Sequence, residues 1–459
     1  MNGLFIISGL GILAMLAEIL KFRKAVLPLV LVGLAAAFVA NLREWSTPVT
    51  WFNNMIAFDH IALSFSGVIL VTAFFWFILA GDFFRRESVI TDHSALILFA
   101  LVGAVMMTAF KNMNTLFLGI EIMSIPLYVM AASRKEDIRS NEAGFKYLIM
   151  GSFASAILLF GIALVYGATA TFDLDKIATV LSSGQELPMF FYAGVILILS
   201  AMCFKVAAAP FHFWAPDVYE GAPTLVTAFM STVVKTAAFA AILRLFMIVL
   251  NDVNGVWHHM LAGVIALSLI IANFTAAVQT SVKRMLAYSS ISHAAFMLMV
   301  VLANVRSGLS IEAILYYTLA YSAGSIAAFG VLYSVSRHND HSIDAFNGLA
   351  KRNPLMAVCM TIAMLSLAGI PVTAGFFAKY FVFTAVMNSG YKWLLILGAI
   401  TSAVGAYYYL KVIIAMYFRE GDKHVIEESN SSKLVVLIAS VATLVIGVVP
   451  GIVAEIFEF

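Results

Sequence analysis

Charge is scarce in this sequence: Asp, Glu, Lys and Arg make up 11% of its 459 residues, while 62% are apolar. Soluble domains carry about a quarter of charged residues, so a water-facing globular fold is excluded. The net charge of +2 leaves no bulk excess that would draw nucleic acid, and no nucleic-acid partner is expected. Cysteine is nearly absent. Cys203 and Cys359 each lie inside an apolar run and give neither a metal-ligand spacing nor a disulfide framework. No Gly-rich nucleotide or dinucleotide loop occurs, and no loop is long enough for an extramembrane domain. Whatever energises the protein is therefore expected on other chains. The segment from Met1 to Leu20 lacks a basic start and a cleavage site, and reads as a retained first helix rather than a signal peptide.

What is present is a succession of long apolar runs. A membrane-spanning helix needs about 20 apolar residues. Such runs fall at 2–20, 25–41, 62–82, 93–110, 113–131, 141–167, 189–209, 223–250, 258–278, 285–303, 312–336, 355–388, 393–418 and 434–456, with short polar breaks between them. The expected fold is an all-α polytopic membrane protein of about 14 transmembrane helices. Lysine and arginine concentrate in cytoplasmic loops. Alternate loops here hold Lys21, Arg23, Lys24, Arg85, Arg86, Arg134, Lys135, Arg139, Lys283, Arg284, Arg337, Lys351, Arg352, Arg419, Lys423 and Lys433. The opposite set holds only Arg43, Lys111, Lys176, Arg306 and Lys392. Both termini are thus expected outside the cytoplasm.

Six basic residues remain inside spans: Lys146, Lys205, Lys235, Arg244, Lys379 and Lys411. Among the acids, Glu121 alone sits near the middle of one. Each mid-span charge costs roughly 2.5–3.5 kcal/mol on insertion scales, so several together require pairing or a role. Glu121 is too deep to reach an interface. Burial favours its neutral form and a nearby ammonium its charged form, which makes it a proton acceptor of adjustable strength; the alternative is a static ion pair joining two helices. Lys235 lies close to the centre of its helix, where its charge depends on its neighbours. Lys146, Arg244 and Lys411 are each within snorkelling reach of a helix end, with Lys146 the most interesting because it follows Glu121 on the next helix. His293 is either a proton relay or a hydrogen-bonded core histidine.

Two spans are expected to break. Pro210 removes a backbone donor and clashes with the preceding turn, so the helix entering at 189 should end just after Lys205. Pro371, flanked by Gly369 and Gly375, should likewise divide the run 355–388 into two half-helices, with Lys379 on the second. Broken helices suit hydrated ion paths, because freed carbonyls must find protein or water. For Lys205, Lys235 and Lys379 the competing reading is a static structural charge. His212, two residues past Pro210, is a relay or an interfacial histidine. A proline-broken helix with a buried lysine thus occurs twice, five helices apart. An odd offset reverses direction, which is the pattern of two inverted five-helix repeats. The implied divisions are 1–92 for helices 1–3, 93–250 and 251–418 for the repeats, and 419–459 for the last helix.

The stretches LFLGIEIMSIPLY around Glu121, FKYLI around Lys146, FKVAAAPFHFWAPDVYEGAP around Lys205, VKRMLAYSSISH at 282–293 and MLSLAGIPVTAGFFAKYFVF around Lys379 resemble the antiporter-like membrane subunits of respiratory complex I, the proton-pumping NADH-quinone oxidoreductase. The resemblance covers nearly the whole chain. It implies a bacterial inner-membrane subunit with no redox cofactor of its own. NADH, FMN, iron–sulfur clusters and quinone would be bound by other subunits, and the neighbours would be antiporter-like M-type and smaller K/J-type membrane subunits. It further implies a proton path through Glu121 paired with Lys205, a central Lys235 and a terminal Lys379, with Lys146 and His293 as lesser members. Two departures separate the chain from other branches. The M-type is expected to carry glutamate where Lys379 stands, and the L-type a long lateral helix beyond the fourteenth span, whereas this sequence ends at Phe459; both point to the N-type. A subunit of a sodium/proton antiporter or membrane-bound hydrogenase, which share the fold, is the alternative. A scaffold whose buried charges only orient helices is a third reading.

Overall fold

The computed structural model describes residues 1–46, 49–86, 89–184, 186–303, 309–336, 340–387, 389–421 and 429–451. Arg306, Arg337 and Lys423 of the orientation argument, and the ends of the spans expected at 355–388 and 434–456, lie outside them. Each apolar run has become a helix, the one open-chain structure that satisfies its own backbone donors and acceptors away from water. In chain order the helices are α1 (Asn2–Leu16), α2 (Arg23–Arg43), α3 (His60–Arg86), α4 (Ile90–Ala109), α5 (Met113–Ala131), α6 (Ile138–Thr169), α7 (Leu174–Ser182), α8 (Met189–Lys205), α9 (Trp214–Gly221) and α10 (Thr224–Val249). They continue with α11 (Asn254–Val278), α12 (Val282–Ala303), α13 (Leu309–Val335), α14 (Pro354–Ala368), α15 (Ala374–Met387), α16 (Lys392–Phe418) and α17 (Asn430–Val448). Among the described residues eleven are long and apolar enough to cross a membrane. With α1 and the two broken helices, α8/α9 and α14/α15, they make up the fourteen crossings.

Two elements carry no signal in the hydropathy pattern. A short antiparallel hairpin, β1 (Val49–Trp51) with β2 (Ile56–Phe58), links α2 to α3. The nine-residue α7, too short to span, is capped by the Asp173 carboxylate, which accepts from the amides of Asp175 and Lys176.

Both breaks fall where the prolines put them, and protein groups take up the freed backbone. After α8 the Ala208 amide donates to Cys203 O (2.8 Å), the Trp214 indole donates to Phe204 O (3.1 Å), and Ser268 Oγ accepts from the Ala209 amide (2.7 Å). After α14 the chain turns at Gly369 with φ +84°, which only glycine adopts without strain. Gly375 then packs so close to α14 that a Cβ would lie 1.8 Å from Ser366 O.

The repeat is visible in the backbone. Asn112, ahead of α5, forms an isolated antiparallel bridge with Asp173, and Ser281, ahead of α12, forms one with Ser342. The same interval of sequence separates the partners in each case. Asp173 and Ser342 each cap the short helical turn that follows. Five crossings lie between the two bridges, so they stand at opposite ends of the bundle, as inverted repeats require.

The helix expected to run straight over 223–250 does not. α10 contains two π-helical stretches, Met230–Val234 and Leu243–Val249, which bracket a regular segment beginning at Lys235. Hydroxyls compete for carbonyls at the first: Ser231 and Thr232 both donate to Ala228 O (3.0 and 2.7 Å) and Thr236 to Thr232 O (2.9 Å). Such stretches recur at functional sites.

Candidate functional site: a buried lysine axis

Glu121 projects from α5 and accepts a hydrogen bond from Ser155 of α6. Lys205, the last residue of α8 and 9% exposed, donates to Ser124 Oγ, whose own hydroxyl donates to Ile120 O. Among the described residues no direct ion pair joins Glu121 and Lys205, although the Glu121 charge acts on the Lys205 ammonium. Lys205 and Ser155 line one cavity of about 20 Å³, with Tyr128, Gly151 and Phe204, enough for a single water. The pairing implied by the resemblance is therefore not a direct contact: Glu121 is bonded to Ser155 and Lys205 to Ser124.

Lys235 begins the regular segment between the π-helical stretches and is 3% exposed. Its ammonium donates to both the carbonyl and the hydroxyl of Ser290 on α12 and lies 5.8 Å from the centre of the Tyr321 ring. One turn along α12, His293 has both ring nitrogens engaged, Nδ1 with Tyr317 Oη (2.8 Å) and Nε2 with Tyr409 Oη (3.2 Å); Tyr409 also bonds Ser289. Its ring packs 4.8 Å from that of Tyr321.

Lys379 on α15 donates to Ala368 O (2.7 Å), the last residue of α14, and sits 5.2 Å from the Phe296 ring centre. Its seat is thus the negative end of a half-helix dipole. A cavity of about 10 Å³ lined by His293, Tyr317, Tyr321, Ser366 and Gly375 connects the tyrosine cluster to this second break. Lys235 and Lys379 are buried lysines held by neutral groups, and Lys205 donates to a hydroxyl.

Lys146 stands elsewhere. It bonds Glu142 Oε1 (2.6 Å) and Asp217 Oδ2 (2.8 Å), and Asp217 also binds Arg284 Nη1 (3.0 Å). These four side chains, with Arg139 and Glu220, line a cavity of about 180 Å³ at the end of the bundle that bears the α5–α6 loop. Lys146 thus belongs to a partly solvated ion cluster, and the Asp217, Glu220 and Arg284 around it were not singled out in the sequence. Asp217 and Glu220 lie within the same stretch as Lys205, but a carboxylate near a span end looks like any interfacial charge. His212 is buried in the first break, and among the described residues its Nδ1 has no hydrogen-bond partner.

Arg244, expected within snorkelling reach of a helix end, does turn to that end, where it is held in an ion pair rather than solvated. It is 4% exposed, and its guanidinium forms a two-pronged pair with Asp59 just ahead of α3 (2.7 and 2.8 Å) and donates to Thr108 O at the end of α4 (3.1 Å). Burial pushes the Asp59 carboxyl up, and the Arg244 fork and the Ala62 amide outweigh it, holding the group below the usual carboxylate range. Lys411 donates to Gln279 O at the end of α11 (3.2 Å), a helix-end position as expected.

Two inverted halves, two broken helices and a row of buried lysines on dipoles and hydroxyls define an antiporter-like membrane subunit. Residues 111–405 match the family described as NADH:quinone oxidoreductase/Mrp antiporter, TM, and the chain belongs to it. NADH-quinone oxidoreductase subunit N of Flavobacterium psychrophilum is 40% identical over 458 residues, spanning 99% of this chain and all of that protein. A chain of respiratory complex I from Thermus thermophilus, solved with bound aureothin, superposes with a TM-score of 0.86 at 32% identity, covering 98% of each. A chain of the Mrp complex from Dietzia shares the fold alone, with a TM-score of 0.88 at 19% identity, over 99% of this chain and 95% of that one.

Proposed function

We propose that this chain is the N-type, proton-translocating membrane subunit of a bacterial NADH-quinone oxidoreductase. Relatives of that name match it along its whole length. The observation that carries the proton-path reading is the lysine axis. Glu121 is bonded to Ser155, which shares a cavity of about 20 Å³ with Lys205, while Lys205 rests on the Ser124 hydroxyl and Lys235 and Lys379 on neutral acceptors. A buried lysine with no bound carboxylate is not fixed in its charged form, so it is able to take up and release a proton.

In this reading Glu121, Lys205, Lys235 and Lys379 carry the path, His293 relays between the last two, and Lys146 belongs to the charged cluster at the cytoplasmic entrance; His212 lies beside the first break. Redox chemistry on other subunits, which bind NADH, FMN, iron–sulfur clusters and quinone, shifts charge along the membrane arm and changes the distance between Glu121 and Lys205. When they separate, the Lys205 charge is less compensated and repels a proton held at Lys235 toward Lys379 and the outside. The halves that move against each other are 93–250 and 251–418, flanked by 1–92 and 419–459. Both termini face outward from the inner membrane, and the neighbours are M-type and K/J-type membrane subunits. In whole complexes reconstituted into liposomes, Glu121→Ala or Lys205→Ala abolishes NADH-driven proton uptake. Full pumping by both assembled variants would refute the proposal.

A further inference from the structure

Ser290 stands in the second half where Glu121 stands in the first. It lies as far past Ser281 of the second bridge as Glu121 lies past Asn112 of the first, on the corresponding helix. By the same register His293 is the counterpart of Ser124. Lys205 thus has a carboxylate nearby and a hydroxyl in contact, whereas Lys235, at the end of the first half, meets a hydroxyl of the second half at the position corresponding to that carboxylate.

Ser290 is also a junction. Its hydroxyl accepts from the Lys235 ammonium, and that ammonium lies 5.8 Å from the centre of the Tyr321 ring, whose neighbour 4.8 Å away is the His293 ring. The residue is 1% exposed, so bulk water cannot substitute for these partners. Tyr321 in turn lines the cavity of about 10 Å³ shared with His293 and the second break. Ser290 and His293 are three residues apart on α12 and therefore share a face.

We propose that Ser290 is a relay residue that takes the proton from Lys235 and passes it toward the tyrosine and histidine cluster. The inference rests on the proton-translocating reading above. In one shift an Nζ–H bond of Lys235 breaks as an Oγ–H bond forms. The serine's original Oγ–H bond breaks as its proton passes to the Tyr321 oxygen, and Tyr321 gives its own hydroxyl proton to a water molecule taken up in the cavity it lines, which becomes hydronium until it passes the proton on. No electron is transferred, and rotation of the two hydroxyls resets the line. A hydroxyl suits this position because it both accepts and donates, whereas a carboxylate there would hold the Lys235 charge in place as a buried ion pair.

The test uses the whole complex in liposomes, reading proton uptake per NADH, its pH profile and its solvent deuterium isotope effect. Ser290→Ala is expected to slow proton uptake at least tenfold and to change the isotope effect, Ser290→Thr to restore both, and Ser290→Asp to block uptake. Ser290→Ala that assembles and pumps at the wild-type rate with an unchanged isotope effect overturns the relay. Should Ser290→Ala fail to assemble, the matched pair Ser290→Thr and Ser290→Val decides, and equal pumping by the two overturns it. Lys235→Ala separates the two levels. If Lys235→Ala pumps normally the proton-path reading fails, and if Lys235→Ala stops pumping while Ser290→Ala does not, only the relay fails.

Discussion

The most discriminating test of the axis is a substitution that removes none of its side chains. Gly369 lies in the turn between α14 and α15, and a Cβ built there would come 2.8 Å from Lys379 Cδ and 3.3 Å from its Nζ, against 3.4–4 Å for an ordinary contact. Gly369→Ala must therefore push the lysine off its seat on Ala368 O, because Lys379 is only 8% exposed and has little free space around it. A hydrogen bond from a charged group contributes about 1.5–3 kcal/mol. If loading of a proton onto Lys379 limits turnover, the loss of this stabilisation of its ammonium slows pumping by between roughly tenfold and a hundredfold. The positive φ adds about 1–2 kcal/mol of backbone strain, which acts on stability and must be separated from the effect on the lysine. Gly184→Ala supplies the control: its φ is +73° and a Cβ there meets nothing within 4 Å. NADH-driven proton uptake by reconstituted complexes should fall in Gly369→Ala and stay at the wild-type level in Gly184→Ala. Wild-type pumping by Gly369→Ala, or an equal loss in both, refutes the reasoning.

Other expectations rest on the same geometry. Asp59→Asn leaves the guanidinium of Arg244 buried without its counter-charge, a loss on the order of 3–5 kcal/mol, and should lower the amount of assembled complex on native gels; removing both charges with Arg244→Met should recover part of it. Because the folded Asp59 carboxyl lies below its ordinary value, its contribution is fully present above the unfolded pKa and is lost as pH falls through the lower, folded one. The difference in thermal inactivation between wild type and Asp59→Asn should therefore be constant near neutral pH and shrink only below about pH 4. Lys146→Met should reduce proton uptake less than Lys205→Met, since Lys146 sits in a cluster with Arg139 and Arg284 nearby; the reverse order would place Lys146 on the main path. Ser124→Ala removes the acceptor for Lys205 and should weaken pumping without abolishing it, measured in the same liposomes.

Much of the fold was legible because its determinants are local. Pro210 and Pro371 each forbid a continuous helix within a few residues, and both breaks fall there. Charges in long apolar runs stand out, which is why Lys205, Lys235 and Lys379 were found. Hydroxyls carry no such signal: Ser124, Ser155 and Ser290 look like any helix serine until a neighbouring helix brings a lysine or a glutamate to them. Distance in sequence hid the Arg244–Asp59 pair, in which an arginine six residues from the expected span end at 250 appeared free to snorkel. It is instead held by a carboxylate 185 positions earlier. The two π-helical stretches were invisible for a further reason, since they alter which carbonyl each amide meets without changing the apolar composition of α10.

The two halves share a backbone but not an electrostatic design. In the first, Lys205 has a carboxylate close by and no direct contact with it, so small changes in separation alter how far the Lys205 charge is compensated. Neither Lys235, which ends the first half and is seated on Ser290 of the second, nor Lys379 of the second has a carboxylate in hydrogen-bond contact among the described residues; a hydroxyl, a backbone carbonyl and a helix end are fixed dipoles with smaller, shorter-ranged fields. In the proposed proton path, the Glu121 and Lys205 pair is therefore the part whose charge state responds to a displacement, and Lys235 and Lys379 the part whose protons respond to charge. On that proposal motion acts on the Glu121 and Lys205 pair first, and the lysines at Ser290 and Ala368 follow. It also explains why the second half has no need of a counterpart to Glu121, since a carboxylate at Ser290 would shield Lys235 from the field that drives it.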